Sequence, residues 1–200
     1  MRVNGAGLQR ALMPGGVRAR QDEAMPDRAG EDATGRLSDA VALWRVGAAS
    51  ASDVIAAAVD CLVADVDSPA LRELAGESPH ESQFILDPLI DQALDELGVD
   101  RLVVANPQRA ALAAVLKRYK RGELTAAAAA QWAHRNIGHQ GDAACQIFVD
   151  FDDMYGTVNY WGSYTVADLN EWMAEETDAF LAGRASPGRT RIWRPPEPST

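Results

Sequence analysis

Residues 52–76 read SDVIAAAVDCLVADVDSPALRELAG, and the fold class turns on this stretch. Val54, Ile55, Ala58, Val59, Leu62, Val63 and Val66 recur at the helical period and form one apolar stripe, while Asp53, Asp60 and Asp67, seven apart, share the opposite side. Ser52 is the expected N-cap, because its hydroxyl can accept an unsatisfied backbone N–H of the first turn. Ser68-Pro69 then restarts a short helix through Leu71, Leu74 and Ala75 that Gly76 closes. Proline costs nothing at a first turn, where its missing N–H has no partner, and glycine readily leaves a last one. The unit is helix, break, helix.

The same period extends both ways along the chain. Upstream, residues 40–46 form an apolar run behind the candidate cap Ser38. Downstream, Leu86, Leu89, Ile90, Ala93, Leu94 and Leu97 make a stripe that Asp87 is expected to cap at Pro88 and Gly98 to end. Asn106-Pro107 opens a further helix with Leu112, Val115, Leu116 and Tyr119 inward, closed by Gly122. Thr125 can cap the next, whose alanines 126–130 combine high helix propensity with small volume, so that neighbouring backbones can approach closely. Trp132 and Ile137 add bulk before Gly138 and Gly141 interrupt the pattern. Ala144, Ile147, Phe148, Phe151 and Tyr155 define another inward face, and Leu169, Met173 and Phe180 the last, behind the cap candidate Thr165. Residues 157–166 read as a loop, with a small hairpin turning at Gly162-Ser163 as the alternative. These patterns predict an irregular all-α bundle of about seven or eight helices with no internal repeat.

Residues 67–76 (DSPALRELAG), followed by residues 84–98 and 118–132, resemble small, uncharacterised helical proteins common in actinobacterial genomes. The resemblance spans roughly half the chain and rests on helix caps and apolar stripes. It implies an all-helical fold and brings with it no activity, cofactor or site residue.

Charge divides the chain into three. Of 200 residues, 19 are basic and 29 acidic, a formal charge of −10. Residues 1–36 hold six Arg, five acids and many Gly and Pro without a sustained apolar period, so they are expected to be a disordered leader. Met25 inside it is a possible alternative translation start. Residues 184–200, with Arg184, Arg189, Arg191, Arg194 and four prolines, suit an extended Arg/Pro-rich tail. Residues 37–183 form the predicted all-α domain and carry nine basic against 23 acidic side chains. Such a negative domain is poorly suited to nucleic acid, whose phosphates demand Lys and Arg. No apolar run reaches the roughly 20 residues of a membrane crossing and no signal core is seen, so the expected location is the cytoplasm. Cys61 and Cys145 fall on apolar helix faces, where a free thiol behaves as a small hydrophobe.

Catalytic signatures are missing: there is no Gly-x-Ser-x-Gly elbow, no phosphate-cradling glycine loop and no Cys-x-x-Cys pair. Metal-ligand types do collect at His134, His139, Asp142, Asp150, Asp152 and Asp153. Their spacing fits a helical metal motif badly, since His134 and His139 are five apart with Gly138 between them, whereas helical zinc ligands usually stand four apart. No cofactor is expected on this reading. A small metal-dependent hydrolase using His134, His139, Asp150 and Asp153 is the alternative, and a structural subunit of an assembly is a third.

Acid and aromatic groups are laid out more tellingly. From residue 136 to 183 there are nine acids and no Lys or Arg, and residues 148–180 contain eight of the thirteen aromatics. Asp168, Glu171, Glu175 and Asp178 form one acidic stripe and Asp87, Asp91 and Asp95 another. The basic residues Lys117, Arg118, Lys120 and Arg121 instead complement the dipole of the helix that Gly122 ends. The predicted function is therefore that of a non-enzymatic binding protein, inhibitor or immunity-like, for a basic protein surface. Asp150, Asp152 and Asp153 steer the partner, and Tyr160, Trp161 and Tyr164, assigned to the loop, anchor it.

Overall fold

The computed structural model describes residues 25–99, 105–161 and 164–186, without the side chains of residues 25–27 and 161. Among the described residues the architecture is eight α-helices and no strand: α1 (Met25–Arg45), α2 (Ala51–Val63), α3 (Pro69–Gly76), α4 (Gln83–Glu96), α5 (Pro107–Lys120), α6 (Ala126–Asn136), α7 (Gln146–Trp161) and α8 (Val166–Leu181), with a short 3-10 turn (Ala143–Cys145) before α7. None of these helices is long and apolar enough to cross a membrane.

Local chemistry sets most helix starts. Ser68, Asn106 and Thr125 accept N–H groups of Leu71, Arg109 and Ala128 through their side chains, and Thr165 forms a reciprocal capping box with Asp168. Each such cap contributes about 1 kcal/mol. The helices then bury their apolar stripes in two adjoining cores. In the first, Leu37 and Val41 of α1, Val54 and Cys61 of α2, Leu71 and Leu74 of α3 and Leu86 and Ile90 of α4 meet Ala110 and Ala111 of α5. In the second, Leu112 and Leu116 of α5 meet Ala129, Ala130 and Ala133 of α6, Phe148 and Phe151 of α7, and Leu169 and Met173 of α8. α5 belongs to both cores, and Leu43 and Trp132 pack against both. Burying each large side chain contributes about 1.5–3 kcal/mol, so these residues dominate stability.

Four expectations change. α1 begins at Met25, so the boundary at residue 36 and the cap at Ser38 both fall inside a helix. Its polar composition is overridden by packing: Ala33 and Leu37 are fully buried, and Gly30 lies so close to Val66 that a Cβ there would meet Val66 Cγ2 at 3.0 Å. Residues 1–24 and 187–200 lie outside the described residues, and with them most of the expected leader and tail. The cap of α2 is Ser50, in a reciprocal box with Asp53, and its buried stripe is Ala51, Val54, Ala57, Ala58 and Cys61. Val59 and Val63 are left 42% and 80% exposed, because α1 and α3 pack against the narrow, small-residue side of α2. α4 begins at Gln83 and carries Pro88 inside it; Asp87 turns its carboxylate towards α1 instead of capping. Finally, residues 157–161 are helical, and α7 runs on to Trp161.

Both cysteines are free and fully buried, as their patterns implied. Burial pushes the Cys145 thiol up to about 12.

Candidate functional site

Two histidines and an adjacent pair of aspartates from another helix converge where α6 ends. His134 sits in the last turn of α6, which Ile137 caps and Gly138 leaves with φ +65°. The left-handed step at Gly138 folds the chain back across the helix end, with the Gly138 N–H bonded to the Ala133 carbonyl at 3.2 Å. A side chain at Gly141 would force its surroundings to shift, since its Cβ would lie 2.4 Å from Ile137 Cγ2 and 2.7 Å from the Ile137 carbonyl oxygen. The two glycines thus set a tight reversal that returns His139 over His134, and the two rings meet edge to face with centroids 4.9 Å apart.

Asp142 anchors this reversal. Its carboxylate accepts from Asn106 Nδ2, Arg109 Nε and the Ala144 N–H, each at 2.8 Å, and its own N–H donates to Gln108 Oε1 at 2.7 Å. Burial opposes the charge on Asp142, but these hydrogen bonds and the Arg109 guanidinium outweigh it and hold the carboxyl below its ordinary range. Asp142, one of the candidate metal ligands, is therefore committed to the scaffold. A shallow polar cleft lined by Arg45, Asn106, Gln108, Asn136, Gln140 and Asp142 runs along the same reversal.

From the far side, α7 delivers Asp152 and Asp153. His134 Nδ1 lies 2.8 Å from Asp152 Oδ2 and 3.6 Å from Asp153 Oδ1, while His139 Nε2 lies 3.4 Å from Asp153 Oδ2. An ionised carboxylate only accepts, so the short contact places a proton on His134 Nδ1 and, in the neutral ring, leaves the lone pair on Nε2. One nitrogen from each histidine and one oxygen of Asp153 fall within 4.8 Å of one another. Asp152 and Asp153 thus face imidazoles, and among the described residues neither is paired with Lys or Arg.

The aromatic candidates separate. Tyr160 is 85% exposed at the end of α7. Tyr164 is half-buried, its ring 6.0 Å from that of Trp172 and its hydroxyl 3.4 Å from Thr157 Oγ1, so it packs α7 to α8 and is not the free surface anchor expected of it. Tyr155 is also half-buried; its hydroxyl donates to Asn170 Oδ1 at 2.8 Å, and burial pushes its pKa up to about 12. The Trp161 side chain lies outside the described residues. Asp150 is half-buried and is not among the three residues whose ligand atoms converge. Its neighbour Val149, which the sequence pattern did not mark as inward, is fully buried.

Elsewhere the expected charge runs are broken up by tertiary pairing. Asp87 and Asp91 are bound by Arg45, Asp178 by Lys120, and Lys117 reaches Asp39. Beside the α8 stripe a further acid, Glu176, turns inward: it is 4% exposed and accepts from Ser186 Oγ at 2.9 Å. No family model, curated protein or solved structure matches this chain.

Proposed function

We propose that this chain is a non-enzymatic, cytoplasmic binding protein that recognises a basic protein surface through the acid and aromatic side of α7, in the manner of an inhibitor or immunity factor. One observation carries the reading: Asp153 and Tyr160 are both exposed and, seven residues apart on one continuous helix, share its side about 10 Å apart along the axis. Carboxylates raise the encounter rate of a cationic partner, and a large ring with a polar tip supplies contact area at little entropic cost. Asp152 flanks the same side, and the absence of Lys and Arg from residues 136–183 leaves no basic side chain within that span to cancel the field. The buried, unpaired cysteines suit a reducing compartment.

The test compares baits in a native lysate: the unaltered chain, Tyr160→Ala, Asp153→Asn, and Glu73→Gln on the exposed side of α3 as control. A basic protein retained by the unaltered chain and the control, lost by Tyr160→Ala and recruited more slowly by Asp153→Asn, is the expected result. Equal retention by all four baits, or an acidic protein as the retained species, rejects the α7 face.

A further inference from the structure

We propose that His134, His139 and Asp153 form a binding site for a divalent transition-metal ion, with zinc the best fit, and that Asp152 positions His134 for it. The proposal goes beyond the partner reading and is tested with no partner present. Two imidazoles and a carboxylate are a borderline donor set that suits zinc, cobalt or nickel, whereas magnesium and calcium favour all-oxygen shells. Ligand atoms bound about 2 Å from one ion lie roughly 3–3.5 Å from each other. The present span of 4.8 Å closes by small rotations of His139 and Asp153, whose side chains are each about half exposed, at 51% and 52%. Three protein ligands leave a fourth position that solvent can fill at this exposed site.

Asp152 stands outside the ligand set and holds His134 Nδ1 at 2.8 Å. An outer carboxylate on one ring nitrogen settles the tautomer of a ligating histidine, and because Nδ1 is also the nitrogen 3.6 Å from Asp153, His134 offers Nε2 to the ion by a turn of its ring. The backbone beneath is rigidly held: Gly138 and Gly141 shape the reversal that carries His139, and Asp142 ties it to α5 through Asn106 and Arg109. The backbone of the site is therefore set before any ion arrives and only side chains need to rotate, which lowers the ordering cost of binding. Of the ligand set expected from the sequence, His134, His139 and Asp153 come together and Asp150 is not among them.

Titration calorimetry with zinc chloride and visible absorption with cobalt chloride, on the full chain without a histidine tag, test the site. One ion per chain is expected, with tetrahedral cobalt bands. His139→Ala and Asp153→Ala are expected to weaken binding by more than about 100-fold, Asp152→Asn by about 10–100-fold, and His80→Ala, on the loop between α3 and α4, to leave it unchanged. His139 and Asp153 are exposed enough that both variants should fold, which circular dichroism checks. Absence of stoichiometric uptake by the unaltered chain, or unweakened uptake by His139→Ala and Asp153→Ala, overturns the site. Unaltered affinity in Asp152→Asn overturns the positioning role of Asp152.

Discussion

Arg45 closes α1 and His134 stands in the last turn of α6, and each faces a pair of aspartates on another helix. Arg45 Nη1 lies 3.2 Å from Asp87 and Nη2 2.7 Å from Asp91 on α4. Trp44 Nε1 and Gln83 Nε2 add donors to Asp87 at 2.9 and 3.1 Å. Across the molecule His134 approaches Asp152 and Asp153 at 2.8 and 3.6 Å, with His139 as the second ring. A guanidinium is permanently charged and has no lone pair to offer, so the α1–α4 contact is a fixed structural clamp. An imidazole is charged only when protonated and otherwise carries a free lone pair, so the α6–α7 contact can accept a proton or an ion. Similar geometry at two helix ends thus yields a fixed structural joint in one half and, in the other, a contact chemically open to a proton or an ion.

The largest test of this contrast concerns whether the halves share one stability. Phe148→Ala removes a fully buried ring that stacks edge-on against Phe180 at 5.3 Å, and a loss of about 3–5 kcal/mol is expected; Leu71→Ala in the other core should lose about 2–5 kcal/mol. Because α5, Leu43 and Trp132 join both cores, each variant should melt in one transition, as differential scanning calorimetry will record. Two separated transitions would break the comparison into two domains. Gly141→Ala comes next, with about 1–3 kcal/mol of overpacking strain at Ile137, measured by urea unfolding, together with loss of zinc uptake.

Third is the direct contrast of the two pairs. Arg45→Met leaves two carboxylates without their shared cation and should cost about 1–3 kcal/mol, since the Arg45 and Asp87 side chains are only 19% and 23% exposed. Asp152→Asn keeps an acceptor for His134 Nδ1 at a more open site and should cost under about 1 kcal/mol in urea unfolding. Equal costs would erase the distinction between clamp and site. The smallest effect concerns acid. Asp142 stays ionised in the folded chain to lower pH than in the unfolded one, so its contribution is complete above its ordinary value of 3.8 and is lost as pH falls through the lower folded value. Asp142→Asn should therefore flatten the acid limb of the stability curve by about 0.5–1.5 kcal/mol and leave its slope at neutral pH unchanged.

Much of the bundle was legible because helix caps and stripes act over three or four residues. Ser68-Pro69, Asn106-Pro107, Thr125 and Thr165 start helices where their chemistry says they should. Reading failed where distant contacts outweigh local preference: α1 extends back to Met25 because α2 and α5 receive Ala33 and Leu37, and Asp87 leaves its capping role for Trp44 and Arg45. The extension of α7 to residue 161 places Tyr160 on the side of Asp153, which the loop reading could not. At the site, the five-residue interval between His134 and His139 was compared with the four-residue spacing of ligands on one helix, a comparison that does not hold once the chain turns back between them. Gly138 ends that helix, and a glycine pair flanking the second histidine was the available signal that the chain turns back on itself.

The amino-acid order alone determined that the chain is helical and where most helices break, since periodicity and capping are settled among near neighbours. Only the tertiary structure decided which carboxylate meets which cation. Trp44 and Asp87 are 43 residues apart and His134 and Asp152 are 18 apart, and such pairs form only once packing has set how each helix is rotated about its axis. That rotation comes from the fit of two shared cores, a property of all the helices together and of none by itself.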